Sequence, residues 1–221
     1  MSLNSNLSNP LTPIIASTTS KASLNIPTGI SPTTPIDGDI WYDSTQKAIS
    51  DNINGVTQKL SGCIFTATGN AANSNSIALL TIIGTGIGTK TLPANFWVIG
   101  KTIRITAGGV ISNTGTPTIN TVAFIGATNV AGTGAYITTT GLSNVGFKVE
   151  VYMTCRSTGV TGTVRGQTNV WINNSTYFST GAGNTTIDTT ALNILDIQTQ
   201  WGTASVSNAI IGTTCIIEIL N

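Results

Sequence analysis

Histidine is absent from this chain of 221 residues, and charged side chains make up only 8% of it. Without histidine, Ser-His-Asp and Cys-His nucleophilic catalysis, the usual zinc sites and the commonest general base are excluded. Ordinary soluble domains contain about 25% charged residues. We therefore expect a surface of hydroxyl and amide groups, or a surface that is largely buried between subunits.

Carboxylates are the acid–base groups that remain, and residues 63–221 contain only four of them: Glu150, Asp188, Asp196 and Glu218. A glycosidase needs two carboxyl groups about 5–10 Å apart in a cleft, and the sequence does not place Glu150 beside Glu218. Solvated or ion-paired strand residues are the expected role for both. The sequence thus predicts a chain that is not an enzyme and has no catalytic, cofactor-binding or metal residues. A depolymerase that acts through Glu150 is the enzymatic alternative.

Basic clusters, long apolar segments and paired cysteines are also lacking. The net charge is +1 and the nine Lys and Arg residues are scattered, which argues against nucleic acid as a partner. The longest apolar stretch, 77–83, is far shorter than the roughly 20 residues that span a bilayer, so no membrane insertion is expected. The three cysteines are odd in number and far apart, which excludes a disulfide framework.

What the chain does contain divides it into three parts. Residues 1–35 hold five of the seven prolines among Ser, Thr and Asn, so we expect an extended arm. Residues 36–62 read as three short strands joined by turns, one of them at Asn54-Gly55. Three such strands cannot stand alone and need another copy or another domain to pack on.

Residues 63–221 show the period of two that is typical of strands. In "FKVEVYMTC" (147–155), apolar residues alternate with Lys148, Glu150, Tyr152 and Thr154. We predict an all-β domain, an antiparallel jelly-roll-like sandwich, preceded by the small meander and the arm. The Gly-rich stretches 127–136 and 175–186 are predicted to be loop tips. Besides 147–155 and the closing 213–220, the candidate strands are 64–68, 76–83, 96–107, 118–125, 162–173 and 192–201.

Two short motifs invite a functional reading. "DGDIWYD" (37–43) departs from a calcium EF-hand loop at its fifth, sixth and twelfth positions. It is better explained as a pair of turns flanking a strand, although a looser ion site between subunits stays open. "GTGIGT" (84–89) resembles a phosphate-binding glycine loop but is not followed by a helix, so a flexible turn is predicted.

The stretch "SLNIPTGISPTTPIDGDIWYDSTQKAISDNINGVTQKL" (23–60) resembles a segment of bacteriophage tail-fibre and head-fibre proteins. The domain after it, from "GCIFTATGN" to "IIEILN", is similar to phage-associated jelly-roll domains of the tumour-necrosis-factor-like kind. The resemblance implies a non-enzymatic virion protein, made in the bacterial cytoplasm. It implies a homotrimer with an N-terminal anchor on the phage capsid or tail.

On this interpretation the three parts are an anchor (1–35), a trimerising neck (36–62) and a knob (63–221) for adhesion to a host-surface glycan or protein. The alternative is a host-encoded carbohydrate-binding or adhesin module, whose sugar-stacking aromatics would be Trp171, Tyr177, Phe178 and Trp201. For Trp171 and Trp201, however, a place in the core or in subunit contacts is the favoured expectation. The predicted site residues are Pro10, Pro13, Ile14 and Ile15 for the anchor, Ile40, Trp41 and Ile49 for the neck, and Tyr177 and Phe178 for the knob surface.

Overall fold

The computed structural model describes residues 26, 28–44, 48–53, 56–59, 62–179 and 183–221. Among these the chain is all-β, and no helix is long and apolar enough to cross a membrane. The strands, in chain order, are β1 Thr28–Gly29, β2 Ile40–Asp43, β3 Ala48–Ile53, β4 Val56–Lys59, β5 Gly62–Ala67, β6 Ala71–Ser74, β7 Leu80–Thr81, β8 Gly86–Gly88, β9 Thr91–Leu92, β10 Thr102–Ser112, β11 Thr118–Ile125, β12 Thr128–Ile137, β13 Val145–Ser157, β14 Gly162–Ile172, β15 Ser175–Phe178, β16 Thr185–Ile187, β17 Asn193–Trp201 and β18 Ala209–Ile219.

Strands β5–β18 form two antiparallel sheets in a jelly-roll-like sandwich. The large sheet has the order β15-β14-β13-β10-β18-β5-β8, with β16 pairing β14 and β6 pairing β18. The small sheet has the order β12-β11-β17-β7, with β9 pairing β17. This confirms the all-β, jelly-roll-like fold predicted from the sequence.

The core lies between the two sheets and follows from the alternation within each strand. On β13, Val149, Val151 and Met153 are fully buried while the residues between them point away. From the small sheet, β17 contributes Leu195 and Ile197 to the same core. Burying side chains of this size stabilises the fold by about 1.5–3 kcal/mol each, so the period of two fixes which face of each strand is internal.

A bulge interrupts the pairing of β10 with β18 between Gly108 and Gly109. A Cβ at Gly109 would lie 1.9 Å from the carbonyl oxygen of Ile211. Only glycine allows the two backbones to approach this closely, and the bulge sets the register of the central strands.

Residues 28–59 contain a separate four-stranded sheet of order β1-β2-β3-β4. Strands β2, β3 and β4 pair antiparallel, and β1 adds in parallel to β2. Gly38 takes a positive φ of 92° in the turn before β2, a conformation that favours glycine.

Several local predictions were wrong. All but the first residue of 127–136, predicted to be a loop tip, lie within strand β12, which pairs with β11. The motif at 84–89, predicted to be a flexible turn, contains β8, which pairs with β5. Of 76–83 only Leu80–Thr81 forms a strand, and the strand predicted from residue 96 begins at Thr102, after Gly100 with its positive φ.

Candidate functional site

The outer side of the large sheet carries an unusual set of side chains. Residues paired across neighbouring strands project to the same side of a sheet, so the register identifies which side chains share the side that points away from the core. We call this surface the outer face; its members are Thr102, Arg104 and Thr106 of β10, Lys148, Glu150, Tyr152 and Thr154 of β13, Arg165, Gln167, Asn169 and Trp171 of β14, Phe178 of β15, and Thr214, Ile216 and Glu218 of β18.

Charge is concentrated on the outer face. Residues 63–221 contain ten charged side chains, and the outer face holds five of them: Arg104, Lys148, Glu150, Arg165 and Glu218. In a chain with so few charged residues, half of the sandwich's charge therefore lies on one surface of four adjacent strands. Three of the five are cations, which gives this face an excess of positive charge.

Arg104 and Glu218 form the central ion pair of the face. The guanidinium donates through Nε (2.9 Å) and Nη2 (2.7 Å) to the same carboxylate oxygen. Glu218 raises the pKa of the Arg104 guanidinium above its ordinary value, and Tyr152, its neighbour on β13, adds to the effect through a hydrogen bond. The result is a fixed cation with a phenol on one side and a carboxylate on the other.

A second charged cluster on the outer face is centred on Lys148. Its ammonium lies 5.1 Å from the centroid of the Trp171 ring and 3.4 Å from the carboxylate of Glu150. The Lys148 side chain is half exposed. A ligand that displaces the ammonium from the ring gains access to an aromatic surface and a cation at the same place.

Phe178 extends the aromatic part of the face toward its edge. It is 59% exposed and lies opposite Asn169 in the β14–β15 pairing. Gln167 donates a long hydrogen bond of 3.4 Å to the Asn169 amide oxygen. Aromatic rings, planar amides and charged groups therefore lie side by side on neighbouring strands, which are about 4.8 Å apart.

The other aromatics that the sequence offered as sugar-stacking residues point elsewhere. Tyr177 faces the interior, where its ring stacks on Tyr136 with centroids 3.9 Å apart and its hydroxyl donates to the carbonyl of Ile137. Trp201 is fully buried and donates to the carbonyl of Asn73, as expected for a core residue. Of the predicted knob-surface pair, only Phe178 is on the outer face.

The predicted neck residues separate onto two sides of the four-stranded sheet. Ile40 and Ile49 share one side with Tyr42, since Tyr42 pairs with Ile49 in the register, and both isoleucines are exposed. Trp41 is on the opposite side, where its indole nitrogen donates to Ser31 at 3.3 Å. The predicted anchor residues Pro10, Pro13, Ile14 and Ile15 lie outside the described residues.

The aspartates of residues 37–43 make local hydrogen bonds. Asp39 accepts from the backbone of Ile36 at 2.9 Å, and the buried Asp43 accepts from the Ser31 hydroxyl at 2.5 Å. These bonds hold the turn and β2 together, as expected of a folding element. In the described part of the chain, no group of three or more His, Cys, Asp or Glu side chains is placed to hold a metal ion.

No protein-family profile matches the chain, and no curated protein sequence is significantly similar to it. Among solved structures, the fold matches a mutant alginate lyase in complex with an alginate trisaccharide, at 10% identity and a TM-score of 0.31. The match covers 80% of this chain and 86% of the lyase chain. A likeness of this size carries no argument about what the present chain binds or does.

Two predictions from the sequence, a chain without enzymatic activity and a phage fibre, are withdrawn. The matched protein is an enzyme and not a virion fibre, so the comparison lends neither prediction support. The lack of histidine and of paired carboxylates does not by itself exclude proton transfer, because lysine and tyrosine side chains also transfer protons. The resemblance of residues 23–60, the homotrimer and the virion location stay predictions.

Proposed function

We propose that the sandwich binds an anionic polysaccharide along the outer face of the large sheet. The observation that carries the proposal is the gathering of three cations, three aromatic rings and two planar amides on four adjacent strands and their edge strand. Saccharides bind proteins through aromatic rings that contact C–H groups and through polar groups that fix orientation. Carboxylate groups on the sugar would pair with the cations.

The positions of the charges favour an anionic ligand over a neutral one. The carboxylates of Glu150 and Glu218 each have a cation within ion-pair distance, at 3.4 Å and 2.7 Å. Arg165 is exposed and forms no ion pair among the described residues. Because the other two cations of the outer face are paired, Arg165 is its excess positive charge. The Lys148 side chain is half exposed, so it can exchange Glu150 for a ligand carboxylate.

The extent of the surface favours a chain over a single sugar. Rows of paired residues run from Phe178 of β15 through Asn169 and Glu150 to Thr106 and Ile216. Five strands at about 4.8 Å spacing make such a row roughly 19 Å long. Contacts of moderate strength that repeat along this length can add up to stable binding of a polymer.

Titration calorimetry with the purified full chain tests the proposal, with polygalacturonate as the anionic polysaccharide and dextran of matched length as the neutral one. We expect binding to polygalacturonate that weakens as sodium chloride is raised, because salt screens exposed charges, and no comparable binding to dextran. Equal affinity for the two polymers, or no binding to polygalacturonate, would contradict the proposal.

Variants locate the binding. Arg165→Ala and Trp171→Ala should each weaken polygalacturonate binding several-fold to tenfold, since each removes one charged or aromatic contact. Lys59→Ala is the charge-matched control, because Lys59 belongs to β4 of the separate four-stranded sheet and to neither face of the sandwich. A loss of affinity in Lys59→Ala equal to that in Arg165→Ala would show that net charge alone, and not the outer face, attracts the polymer.

A further inference from the structure

A cavity of about 550 Å³ opens at the edge of the sandwich opposite β15. It lies between β5 and β8 of the large sheet and the residues around β7, β9 and β17 of the small sheet. We call it the edge cavity. Pockets of roughly 300–1,000 Å³ with an apolar floor and a few polar groups are typical small-molecule sites.

Glycines shape one wall of the edge cavity. A Cβ at Gly86 or at Gly88 would lie 2.1 Å from the carbonyl oxygen of Thr66 or of Ile64. Because both positions are glycine, β8 lies close against β5 and leaves the space beside it open. The glycine-rich motif at 84–89, which the outer face does not use, therefore builds this cavity.

The floor of the edge cavity is apolar and its rim carries one cation. Phe65 and Ile83 line it and are otherwise buried in the core. The Lys90 ammonium lies 5.9 Å from the centroid of the Phe65 ring. Lys90 is held in place by its backbone carbonyl, which accepts from the amide of Leu195 at 2.9 Å.

Polar groups around the rim are available to a ligand. Lys90 forms no ion pair with any described carboxylate. The Asn70 amide and the Thr85 and Thr91 hydroxyls, which also line the cavity, make no side-chain hydrogen bond within the described part of the chain. The nearby Asp196 is already engaged, since it accepts from Thr81 at 2.6 Å and from Gln198 at 2.9 Å.

From this arrangement we infer that the edge cavity binds a sugar acid of monosaccharide size. Its single carboxylate pairs with Lys90, its hydroxyls bond Asn70, Thr85 and Thr91, and its C–H groups contact the apolar floor beside Phe65 and Ile83. A single ammonium matches a ligand with one negative charge. This site is separate from the outer face, and the inference does not depend on polysaccharide binding there.

Saturation-transfer NMR and calorimetry on the full chain test the inference with three probes. D-glucuronate carries both the charge and the sugar body, D-glucose lacks the charge, and acetate lacks the body. We expect saturable binding of glucuronate, with glucose and acetate each at least about tenfold weaker, because each loses one set of contacts. Equal binding of glucuronate and acetate would overturn the inference, as would no saturable binding of glucuronate.

Variants assign glucuronate to the edge cavity. Lys90→Ala should weaken its binding about tenfold, Lys90→Arg should retain most of it, and Thr91→Val should weaken it while keeping the side-chain shape. Val206→Ala, at an exposed position that does not line the edge cavity, should leave glucuronate affinity unchanged. If Trp171→Ala abolishes glucuronate binding and Lys90→Ala does not, the sugar acid binds the outer face and the inference is wrong. Circular dichroism confirms that each variant is folded.

Discussion

Arg104 and Glu218 lie opposite each other on neighbouring central strands of the large sheet, 114 residues apart in sequence, and two guanidinium nitrogens donate to one carboxylate oxygen. The pair lies in the middle of the outer face, with Tyr152 on the adjacent strand. The ion pair with Glu218 therefore limits how strongly the Arg104 guanidinium attracts an anionic ligand.

Replacing Glu218 by Gln should strengthen binding of an anionic polysaccharide. The substitution keeps the side-chain shape, removes one negative charge from the face and frees Arg104 to pair with a ligand carboxylate. We expect affinity for polygalacturonate to rise a few-fold at low salt, and the gain to shrink as salt increases. Titration calorimetry at two salt concentrations measures this.

The same variant separates binding from stability. Partly exposed ion pairs contribute about 0–1 kcal/mol, so urea denaturation of Glu218→Gln should give an unfolding free energy within about 1 kcal/mol of the wild type. If Glu218→Gln binds polygalacturonate more weakly than the wild type and is equally stable, Glu218 contacts the ligand directly. Its role would then not be limited to pairing with Arg104.

The sequence predicted which side of a strand faces the solvent but not which strands would be neighbours. Alternation in 147–155 placed Lys148, Glu150 and Tyr152 together, and β13 shows this arrangement. The local sequence does not indicate that β18 pairs with β10, because that pairing depends on the order of the strands in the sheet. The ion pair of Arg104 with Glu218, and with it the extent of the outer face, could therefore not be predicted.

The elements that the sequence missed are rich in glycine and threonine. Strand β12 and strand β8 have weak strand propensity, and the glycines in both indicate a loop when read alone. In the folded chain β12 pairs with β11, and β8 packs closely on β5 at Gly86 and Gly88. Tertiary pairing overrides local propensity at these places.

Gly109→Ala should destabilise the sandwich. The added Cβ would lie 1.9 Å from the carbonyl oxygen of Ile211, so the bulge between β10 and β18 would have to move. We expect the unfolding free energy to fall by about 2–4 kcal/mol, in the range of backbone clashes and overpacking. Urea denaturation measures the change.

Gly146→Ala is the matched control for that experiment. Gly146 also lies in a strand of the large sheet, and a Cβ there meets nothing within 4 Å. Its unfolding free energy should stay within about 0.5 kcal/mol of the wild type. Similar losses in both variants would show that the strands are sensitive to any added Cβ and that the bulge has no special role.

The three thiols should differ in reactivity. Cys63 is exposed, whereas Cys155 and Cys215 are buried. In the native protein a thiol reagent such as DTNB should modify one cysteine rapidly, and all three should react in urea. Cys63→Ala should remove the rapid phase. Rapid modification of two or more thiols under native conditions would contradict the burial of β13 and β18 in the core.

Stability should fall at alkaline pH because of Cys215. Burial raises the pKa of its thiol from 9.0 to about 12, an effect that the nearby Lys90 ammonium opposes. The folded state thus holds the proton over a pH range in which the unfolded chain loses it. The contribution of this thiol to stability is complete below about pH 9 and is lost as the pH rises toward 12.

Urea denaturation between pH 8 and pH 10 under reducing conditions measures this loss. The linkage relation gives about 1 kcal/mol over that interval from a thiol with these two pKa values. Cys215→Ala should lower stability at pH 8 through lost packing, but its unfolding free energy should decline less steeply with pH than that of the wild type. Burial also raises the pKa of Tyr136, so the variant should still lose some stability near pH 10. Parallel declines in the two proteins would show that Cys215 does not keep its proton in the folded state.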